Sequence, residues 1–224
     1  MATRLAFLHT SHVLIPVFAA LAKELLPGVE VFHMLDESLI RNTIAAGSMN
    51  RLTLRRLLGH IESAHEGGAD AVMVTCSSIG EGVPLARRIF DFPVFRVDEP
   101  MAEAAVEAGP RIGVAATLKT TLDPTVALLR ETAARAGRGV EIVPQLAGGA
   151  FECLIAGDVS KHDEMLASAL AELLPKVDVV VLAQASMARI AARFAKEGPP
   201  ILSSPQLAIR SARAALLPQT STRR

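Results

Sequence analysis

Asp70-Ala-Val-Met-Val-Thr-Cys76 and Asp178-Val-Val-Val-Leu-Ala-Gln184 are the two stretches of sequence that decide the fold. Each begins with an aspartate, continues through apolar residues, many of them β-branched, and reaches a polar side chain, and 108 positions separate residue 70 from residue 178. Short apolar runs of this kind predict buried strands of a parallel sheet. One structural unit is therefore expected to occur twice, with Cys76 and Gln184 at matching positions.

Two further pairs of stretches repeat at nearly the same spacing and in the same order. Arg4-Leu-Ala-Phe-Leu-His-Thr10 is matched 107 positions later by Arg111-Ile-Gly-Val-Ala-Ala-Thr117, and Pro93-Val-Phe95 is matched by Pro200-Ile-Leu202, also after 107 positions. Helix-like sequence follows each stretch. The shared order favours an internal repeat over a chance match of apolar strands.

Apolar runs alternate with longer stretches of helical period along the whole chain, which is typical of βαβ units. The helices include 48–66 and 122–136, which are rich in Ala, Leu, Arg and Glu. The predicted strands are 4–9, 29–33, 70–75, 93–97, 111–116, 139–144, 178–183 and 200–203. The predicted fold class is α/β, with two pseudo-symmetric three-layer αβα lobes that each contain a small parallel sheet.

The first lobe is expected to comprise residues 1–98 plus 205–224, and the second lobe residues 99–204. The last apolar helix, 205–217, is expected to pack back on the first lobe, and the tail 218–224 to be frayed. Parallel sheets bind ligands at the carboxyl ends of their strands, so the active site is predicted in the cleft between the lobes.

Composition argues against several classes of function. The 23 basic residues balance the 23 acidic ones, and Trp and Tyr are absent, so we expect no nucleic-acid partner. The longest apolar run is far shorter than the roughly 20 residues that cross a bilayer, so we expect no membrane partner. The N-terminal residues favour a strand over a signal peptide, which predicts a cytoplasmic protein.

Cys76 is the first candidate for chemistry, because it follows a predicted strand and precedes the small polar turn Ser77-Ser-Ile-Gly-Glu-Gly82. Backbone N–H groups at a helix start bind carboxylates and lower the pKa of a thiol, which favours a reactive thiolate over a buried structural cysteine. The apolar neighbours of Cys153 favour a structural cysteine on the buried face of a short helix. Free thiols are expected for both.

The matching position 184 holds an amide, which neither loses nor gains a proton near neutral pH but donates hydrogen bonds. His9 and His12 follow the first strand and are candidate helpers of Cys76, although solvated loop histidines fit the sequence equally well. Ser186 is the nearest hydroxyl in the second lobe. The sequence contains neither short metal signatures nor full glycine-rich nucleotide fingerprints, so no metal and no cofactor are predicted.

Four motifs in order resemble those of the aspartate/glutamate racemase superfamily, which also includes hydantoin racemases, maleate isomerases and arylmalonate decarboxylases. Val74-Thr-Cys-Ser-Ser78 is similar to the first cysteine motif, and Ala116-Thr117 with Thr120 is similar to the carboxylate-binding loop. Val181-Leu-Ala-Gln-Ala-Ser-Met-Ala188 resembles the second cysteine motif, and Ser203-Ser-Pro-Gln206 resembles the closing strand and helix start. The resemblance covers essentially the whole chain.

The resemblance implies a cofactor-independent enzyme in which one cysteine from each lobe flanks the α-carbon of a small acid. One cysteine takes a proton and the other returns a proton from the opposite face. The resemblance also implies a homo-oligomer and a carboxylate held by hydroxyl and N–H groups of the loops. The candidate substrate-binding residues are Thr10, Ser11, Thr75, Ser77, Ser78, Thr117, Thr120 and Ser186.

The sequence departs from that pattern at the second catalytic position, which is Gln184. A racemase or isomerase acting at the carbon next to a carboxylate, with Cys76 as acid, base or nucleophile, is the first hypothesis. One-cysteine chemistry is the alternative, either decarboxylation with protonation from one face or thiolate addition for cis–trans isomerisation. A non-catalytic protein that binds small carboxylates is also compatible with these residues.

Overall fold

Two four-stranded parallel sheets form the centres of two lobes in this computed structural model, which describes residues 2–194 and 198–217. The strands of the first sheet have the order β2-β1-β3-β4, and those of the second have the equivalent order β6-β5-β7-β8. The strands are β1 (Thr3–His9), β2 (Val29–Leu35), β3 (Ala71–Val74), β4 (Val94–Arg96), β5 (Arg111–Ala116), β6 (Glu141–Leu146), β7 (Val179–Leu182) and β8 (Ile201–Ser203). All eight predicted strands are present, and the predicted repeat is confirmed.

Nine α-helices surround the sheets in the described part of the chain. They are α1 (Ile15–Leu25), α2 (Glu37–Ala46), α3 (Arg51–Glu66), α4 (Val83–Ala86), α5 (Glu99–Ala108), α6 (Lys119–Arg135), α7 (Ala150–Ile155), α8 (Val159–Leu173) and α9 (Ser204–Leu216). In addition, 3₁₀ segments cover His12–Leu14, Ser77–Gly82, Leu174–Lys176 and Ala185–Phe194. Within residues 2–194 and 198–217, no helix is long and apolar enough to cross a membrane.

Two helix starts differ from those predicted. Helix α3 begins at Arg51 rather than at 48, because the Asn50 side chain caps it by accepting a hydrogen bond of 2.9 Å from the Thr53 N–H. Helix α6 begins at Lys119 rather than at 122, and it continues through Pro124. The earlier start of α6 brings its first turn to the edge of the cleft.

The aspartates that open the two repeated stretches have the same structural role in both lobes. The Asp70 carboxylate accepts a hydrogen bond of 2.8 Å from the backbone N–H of Arg4, and Asp178 accepts one of 2.9 Å from that of Arg111. Each aspartate thereby fixes the start of the central strand of its sheet. This shared contact gives a physical reason for the repeated Arg and Asp positions.

Both faces of each sheet are buried. In the first lobe, Leu5 and Phe7 belong to the core on one face of β1, while Ala6 and Leu8 belong to the core on the other face. The second lobe shows the same alternation along β7, where Val181 and Leu182 belong to different cores. Because successive strand residues point to opposite faces, helices cover both sides of each sheet and the three-layer αβα prediction is confirmed.

Helix α9 contributes Ala208, Ile209 and Ala212 to the core that contains Leu5 and Phe7. This contact is the packing expected of the last helix against the first lobe. The division of the chain at 98/99 and 204/205 stays a prediction. The tail 218–224, predicted to be frayed, lies outside the described residues.

Candidate active site

A cavity of about 50 Å³ lies between the two lobes, at the carboxyl ends of their central strands. We call it the interlobe cavity. The first lobe contributes Thr10, Ser11, Val13, Leu14, Ile40, Thr75, Cys76, Ser77 and Ser78 to its lining, and the second lobe contributes Leu118, Thr121, Phe151, Leu154, Gln184, Ala185 and Ser186. A cavity of this size suits a small ligand, because a cavity of about 10–15 Å³ already holds one water molecule.

Most of the predicted site residues line this cavity. They are Cys76, Gln184, Thr10, Ser11, Thr75, Ser77, Ser78 and Ser186. Thr117 lies behind the lining, in contact with the Gln184 side chain. Thr120 does not line the interlobe cavity; it lies in a separate surface groove with Glu81 and Asp123. Its hydroxyl is buried and has no partner among the described residues.

Cys76 immediately follows β3 and precedes the 3₁₀ segment Ser77–Gly82. The Thr10 and Ser78 hydroxyls and the backbone N–H groups of Ser78 and Ile79 are the polar groups that favour the charged form of its sulfur. Cys76 is half-buried: part of its surface is accessible from the cavity, and protein atoms surround the rest.

Burial raises the pKa of the Cys76 thiol, while the four hydrogen bonds lower it to a smaller extent. The net direction is upward, which differs from the lowered pKa expected from the sequence. The physical reason is that enclosure disfavours the charged thiolate more than a few N–H and O–H donors favour it. At neutral pH the resting side chain is the protonated thiol.

Gln184 is held in one orientation by Thr117. Its Oε1 accepts a hydrogen bond of 2.6 Å from the Thr117 backbone N–H and another of 2.9 Å from the Thr117 hydroxyl. A backbone N–H only donates, so the contacting atom has to be the amide oxygen. The Nε2 group has no partner among the described residues, so its two N–H donors are available to a ligand in the interlobe cavity.

Cys76 is the one side chain that titrates among the described residues lining the cavity. The second lobe contributes hydroxyl, amide and apolar groups but neither a thiol nor an imidazole. The first lobe therefore contributes one group that titrates to the lining, and the second lobe contributes hydrogen-bonding and apolar groups.

The two histidines predicted as helpers lie outside the lining. His9 is fully buried; its Nδ1 lies 2.9 Å from the Thr75 hydroxyl and its Nε2 lies 2.8 Å from His33 Nδ1. Burial, and secondarily the charge of His33, lowers the pKa of His9 to about 4. His9 thus supports the cavity-lining Thr75 as a neutral ring. His12 is exposed and contacts Glu37.

The sequence reasoning missed Thr121 and the apolar residues of the lining. Thr121 lies in the first turn of α6 and lines the cavity. The prediction missed it because it placed the start of this helix at 122. Phe151 and Leu154 lie on one face of α7, and their spacing of three was a signal that the sequence contained. Cys153, on the same helix, is half-buried and lies outside the lining.

The described residues contain no group of three or more metal-ligating side chains that could hold an ion. The site is therefore built from one thiol, several hydroxyls, an amide and backbone N–H groups. Such neutral donors bind an anionic carboxylate or the negative charge that develops when a proton leaves the neighbouring carbon.

The sequence matches the family model described as Asp/Glu/Hydantoin racemase over residues 9–212. None of the curated proteins matches it. Solved structures with the same fold include glutamate racemase from Francisella tularensis subsp. tularensis SCHU S4 in complex with D-glutamate, which is 14% identical with a TM-score of 0.75 and coverage of 98% of this chain and 85% of that one.

Two other similar structures have different substrates in their names. Picrophilus torridus aspartate racemase is 11% identical with a TM-score of 0.73, and coverage is 96% of this chain and 94% of that one. Allantoin racemase from Klebsiella pneumoniae is 17% identical with a TM-score of 0.64, and coverage is 95% and 86%. Since the family model spans most of the sequence, the chain belongs to the Asp/Glu/hydantoin racemase family and is a racemase-type enzyme of the isomerase class.

Proposed function

We propose that this enzyme moves a proton at the carbon next to the carboxylate of a small acid, without a cofactor, using Cys76 as the acid and base. The observation that carries the proposal is that Cys76 and Gln184 line one small cavity, in which Cys76 is the one described side chain that titrates. Gln184 occupies the place of a second cysteine and acts as a hydrogen-bond donor. The small carboxylate is the partner of the site; the homo-oligomer and the cytoplasmic location stay predictions.

Neutral donors would hold the carboxylate of the substrate. The candidate donors are hydroxyls that line the cavity, such as those of Ser11, Ser77 and Ser186, and the N–H groups of Gln184. In an enclosed site such donors stabilise an anion without an opposing charge. The same donors would stabilise the enediolate that forms when the α-carbon loses its proton.

The proton step uses the minor thiolate form of Cys76. The α C–H bond breaks as an S–H bond forms, and the electron pair of the C–H bond moves onto the carboxylate as an enediolate. A thiolate with a raised pKa is scarce at neutral pH but is a stronger base once formed. Return of a proton from the same thiol gives back the same enantiomer, and the α-proton is replaced by one from solvent when the thiol exchanges its proton with water while the enediolate is still bound.

Formation of the mirror-image acid requires a proton on the face of Gln184. Because an amide is not a proton donor in acid–base chemistry near neutral pH, water has to supply this proton. We therefore expect exchange of the α-proton with solvent to be faster than interconversion of enantiomers.

Decarboxylation is the second candidate, and the protonated resting thiol favours it. In this reaction the bond from the α-carbon to one carboxylate breaks and CO₂ leaves with the enediolate electrons remaining on the substrate. Cys76 donates its proton to the carbon, and water then reprotonates the thiolate. This sequence needs a proton donor on one face only, which is what the cavity offers.

Solvent-deuterium exchange tests the proposal. A panel of small 2-substituted acids and malonic acids would be incubated in D₂O with the wild type, Cys76→Ala and the matched control Cys153→Ala, and followed by NMR. We expect exchange or CO₂ release with the wild type and the control, and a loss of about 100-fold or more in Cys76→Ala. Exchange that Cys76→Ala leaves unchanged refutes the role of Cys76.

One further outcome separates catalysis from binding. If no acid in the panel exchanges or decarboxylates, but acids protect Cys76 from alkylation, the chain is a carboxylate-binding protein and the catalytic proposal is wrong. Protection of Cys76 is measured without any turnover, so the two results are independent.

A further inference from the structure

The interlobe cavity contains no carboxylate side chain among the described residues that line it. The neighbouring carboxylates are engaged elsewhere: Asp36 accepts hydrogen bonds from Ser38 and contacts Arg56 and His60, and Glu37 contacts His12 and Arg41. Glu81 and Asp123 lie in the separate surface groove, where Asp123 pairs with Lys119. None of these carboxylates lines the interlobe cavity.

Apolar side chains from both lobes form the rest of the lining. The first lobe contributes Val13, Leu14 and Ile40, and the second contributes Leu118, Phe151 and Leu154. An ammonium group placed against these side chains loses its hydration and gains no opposing charge, which is strongly unfavourable. A methyl group in the same position gains apolar contact instead.

We propose that the site selects small monocarboxylic acids with an apolar substituent on the α-carbon and rejects α-amino acids. The inference names the substrate class for the proton transfer at the α-carbon and so rests on that proposed function; malonic acids, which the decarboxylation alternative requires, carry a second carboxylate and lie outside this class. One anionic group is bound by the hydroxyl, backbone N–H and Gln184 donors. The remainder of the ligand is uncharged, because no described Asp, Glu, Lys, Arg or His side chain lines the cavity to balance a second charge, and it is small, because the cavity measures about 50 Å³.

Pairs of ligands with the same shape test this selectivity. Isobutyrate and alanine differ by a methyl group in place of the ammonium group, and 2-methylbutyrate and 2-aminobutyrate differ in the same way. Protection of Cys76 from iodoacetamide would be measured in the Cys153→Ala background by mass spectrometry. We expect the apolar acid of each pair to protect at a concentration at least tenfold lower than its amino acid.

Two results of that comparison overturn the inference. One is an amino acid that protects Cys76 at the same or a lower concentration than its apolar partner. The other is the failure of both apolar acids to protect at concentrations where the amino acids do, or at any concentration up to their solubility.

A carboxylate introduced into the lining should reverse the preference. In Leu154→Asp, but not in the matched control Leu154→Asn, we expect alanine to protect Cys76 at a concentration at least tenfold lower than in the parent protein. Because Leu154 is buried, Val13→Asp with Val13→Asn provides a second pair at a half-buried position. Equal gains in the Asp and Asn variants, or no gain in any folded Asp variant, contradict the inference.

Failure of the proposed function has a different signature. Protection of Cys76 depends on binding alone. If apolar acids protect Cys76 better than amino acids do but their α-proton never exchanges, the selectivity is supported and the catalytic proposal is wrong. If the α-proton of alanine exchanges in a Cys76-dependent manner and alanine protects Cys76 as well as isobutyrate does, the catalytic proposal is supported and the selectivity is wrong.

Discussion

The hydroxyl oxygens of Ser78 and Thr121 lie 2.6 Å apart and form a hydrogen bond between the two lobes. Ser78 belongs to the 3₁₀ segment after Cys76, and Thr121 belongs to the first turn of α6. Both side chains are almost fully buried and both line the interlobe cavity. This contact therefore ties the segment that carries the thiol directly to the opposite lobe.

Removal of this hydrogen bond should destabilise the protein, and the two partners should be coupled. Ser78→Ala and Thr121→Val are each expected to lower the free energy of unfolding by about 1–3 kcal/mol, because the remaining hydroxyl is left buried without its partner. The double variant should lose less than the sum of the two single losses, by about 0.5–2 kcal/mol. Urea unfolding of all four proteins measures the cycle.

Thr132→Val serves as the control for that cycle. Thr132 is also buried on α6, but it lies 11 positions beyond Thr121, roughly 16 Å along the helix. Its loss should add independently to that of Ser78→Ala. Strict additivity of Ser78→Ala and Thr121→Val would show that the hydrogen bond does not join the lobes energetically.

Alkylation of Cys76 should increase with pH well into the alkaline range. Burial raises the pKa of this thiol, so the reactive thiolate is a minor species at pH 7 and becomes more abundant as the pH rises toward the raised value. In Cys153→Ala, the iodoacetamide reaction at pH 7 should be slower than that of an exposed cysteine in a peptide. A rate that levels off below pH 8.5 contradicts the raised pKa of Cys76, and Cys76→Ala gives the background rate.

Replacement of Gln184 by cysteine should restore an acid and base to the second face. We expect Gln184→Cys to raise the ratio of enantiomer conversion to α-proton exchange by at least tenfold, since a thiol there can return a proton from the side opposite Cys76. Chiral chromatography and NMR in D₂O measure the two rates on the same sample. The double variant Cys76→Ala/Gln184→Cys distinguishes two-sided chemistry from a simple change of side, because it should lose the conversion again.

The contact between the buried His9 and the half-buried His33 should make the protein less stable in mild acid. The pKa of His9 is lowered to about 4 in the folded protein but is near 6.5 in the unfolded chain, so between these values the unfolded state binds more protons. The contribution of His9 to the free energy of unfolding is therefore fully present above pH 6.5 and is lost as the pH decreases toward 4, by up to about 3 kcal/mol. His33, whose pKa is also lowered by burial, adds in the same direction.

Thermal or urea unfolding across this pH range measures the effect. His9→Gln should show a smaller loss of stability from pH 6.5 to pH 4 than the wild type, whatever its stability at neutral pH. His12→Gln is the matched control, because His12 is largely exposed. Parallel stability curves for the wild type and His9→Gln would refute the assignment.

Much of the fold was predictable from local sequence pattern. Strands such as β3 and β7 are short apolar runs at a constant spacing, and both stay buried on two faces, so their hydrophobicity alone identifies them. The repeated Arg and Asp positions reflect one contact made twice, between Asp70 and Arg4 and between Asp178 and Arg111. Helix starts were less predictable, because the cap at Asn50 and the first turn of α6 depend on side-chain and backbone geometry around each terminus.

The sequence by itself determined two repeated α/β units with Cys76 and Gln184 at matching strand ends, because strand periodicity and residue identity are local properties. Only the tertiary structure decided how these residues are presented. The enclosure of Cys76 raises its pKa, Thr117 turns the Gln184 amide, and apolar side chains from both lobes complete an uncharged lining. Each of these depends on groups distant in sequence that come together only when the lobes pack, since pKa, orientation and desolvation are set by three-dimensional surroundings.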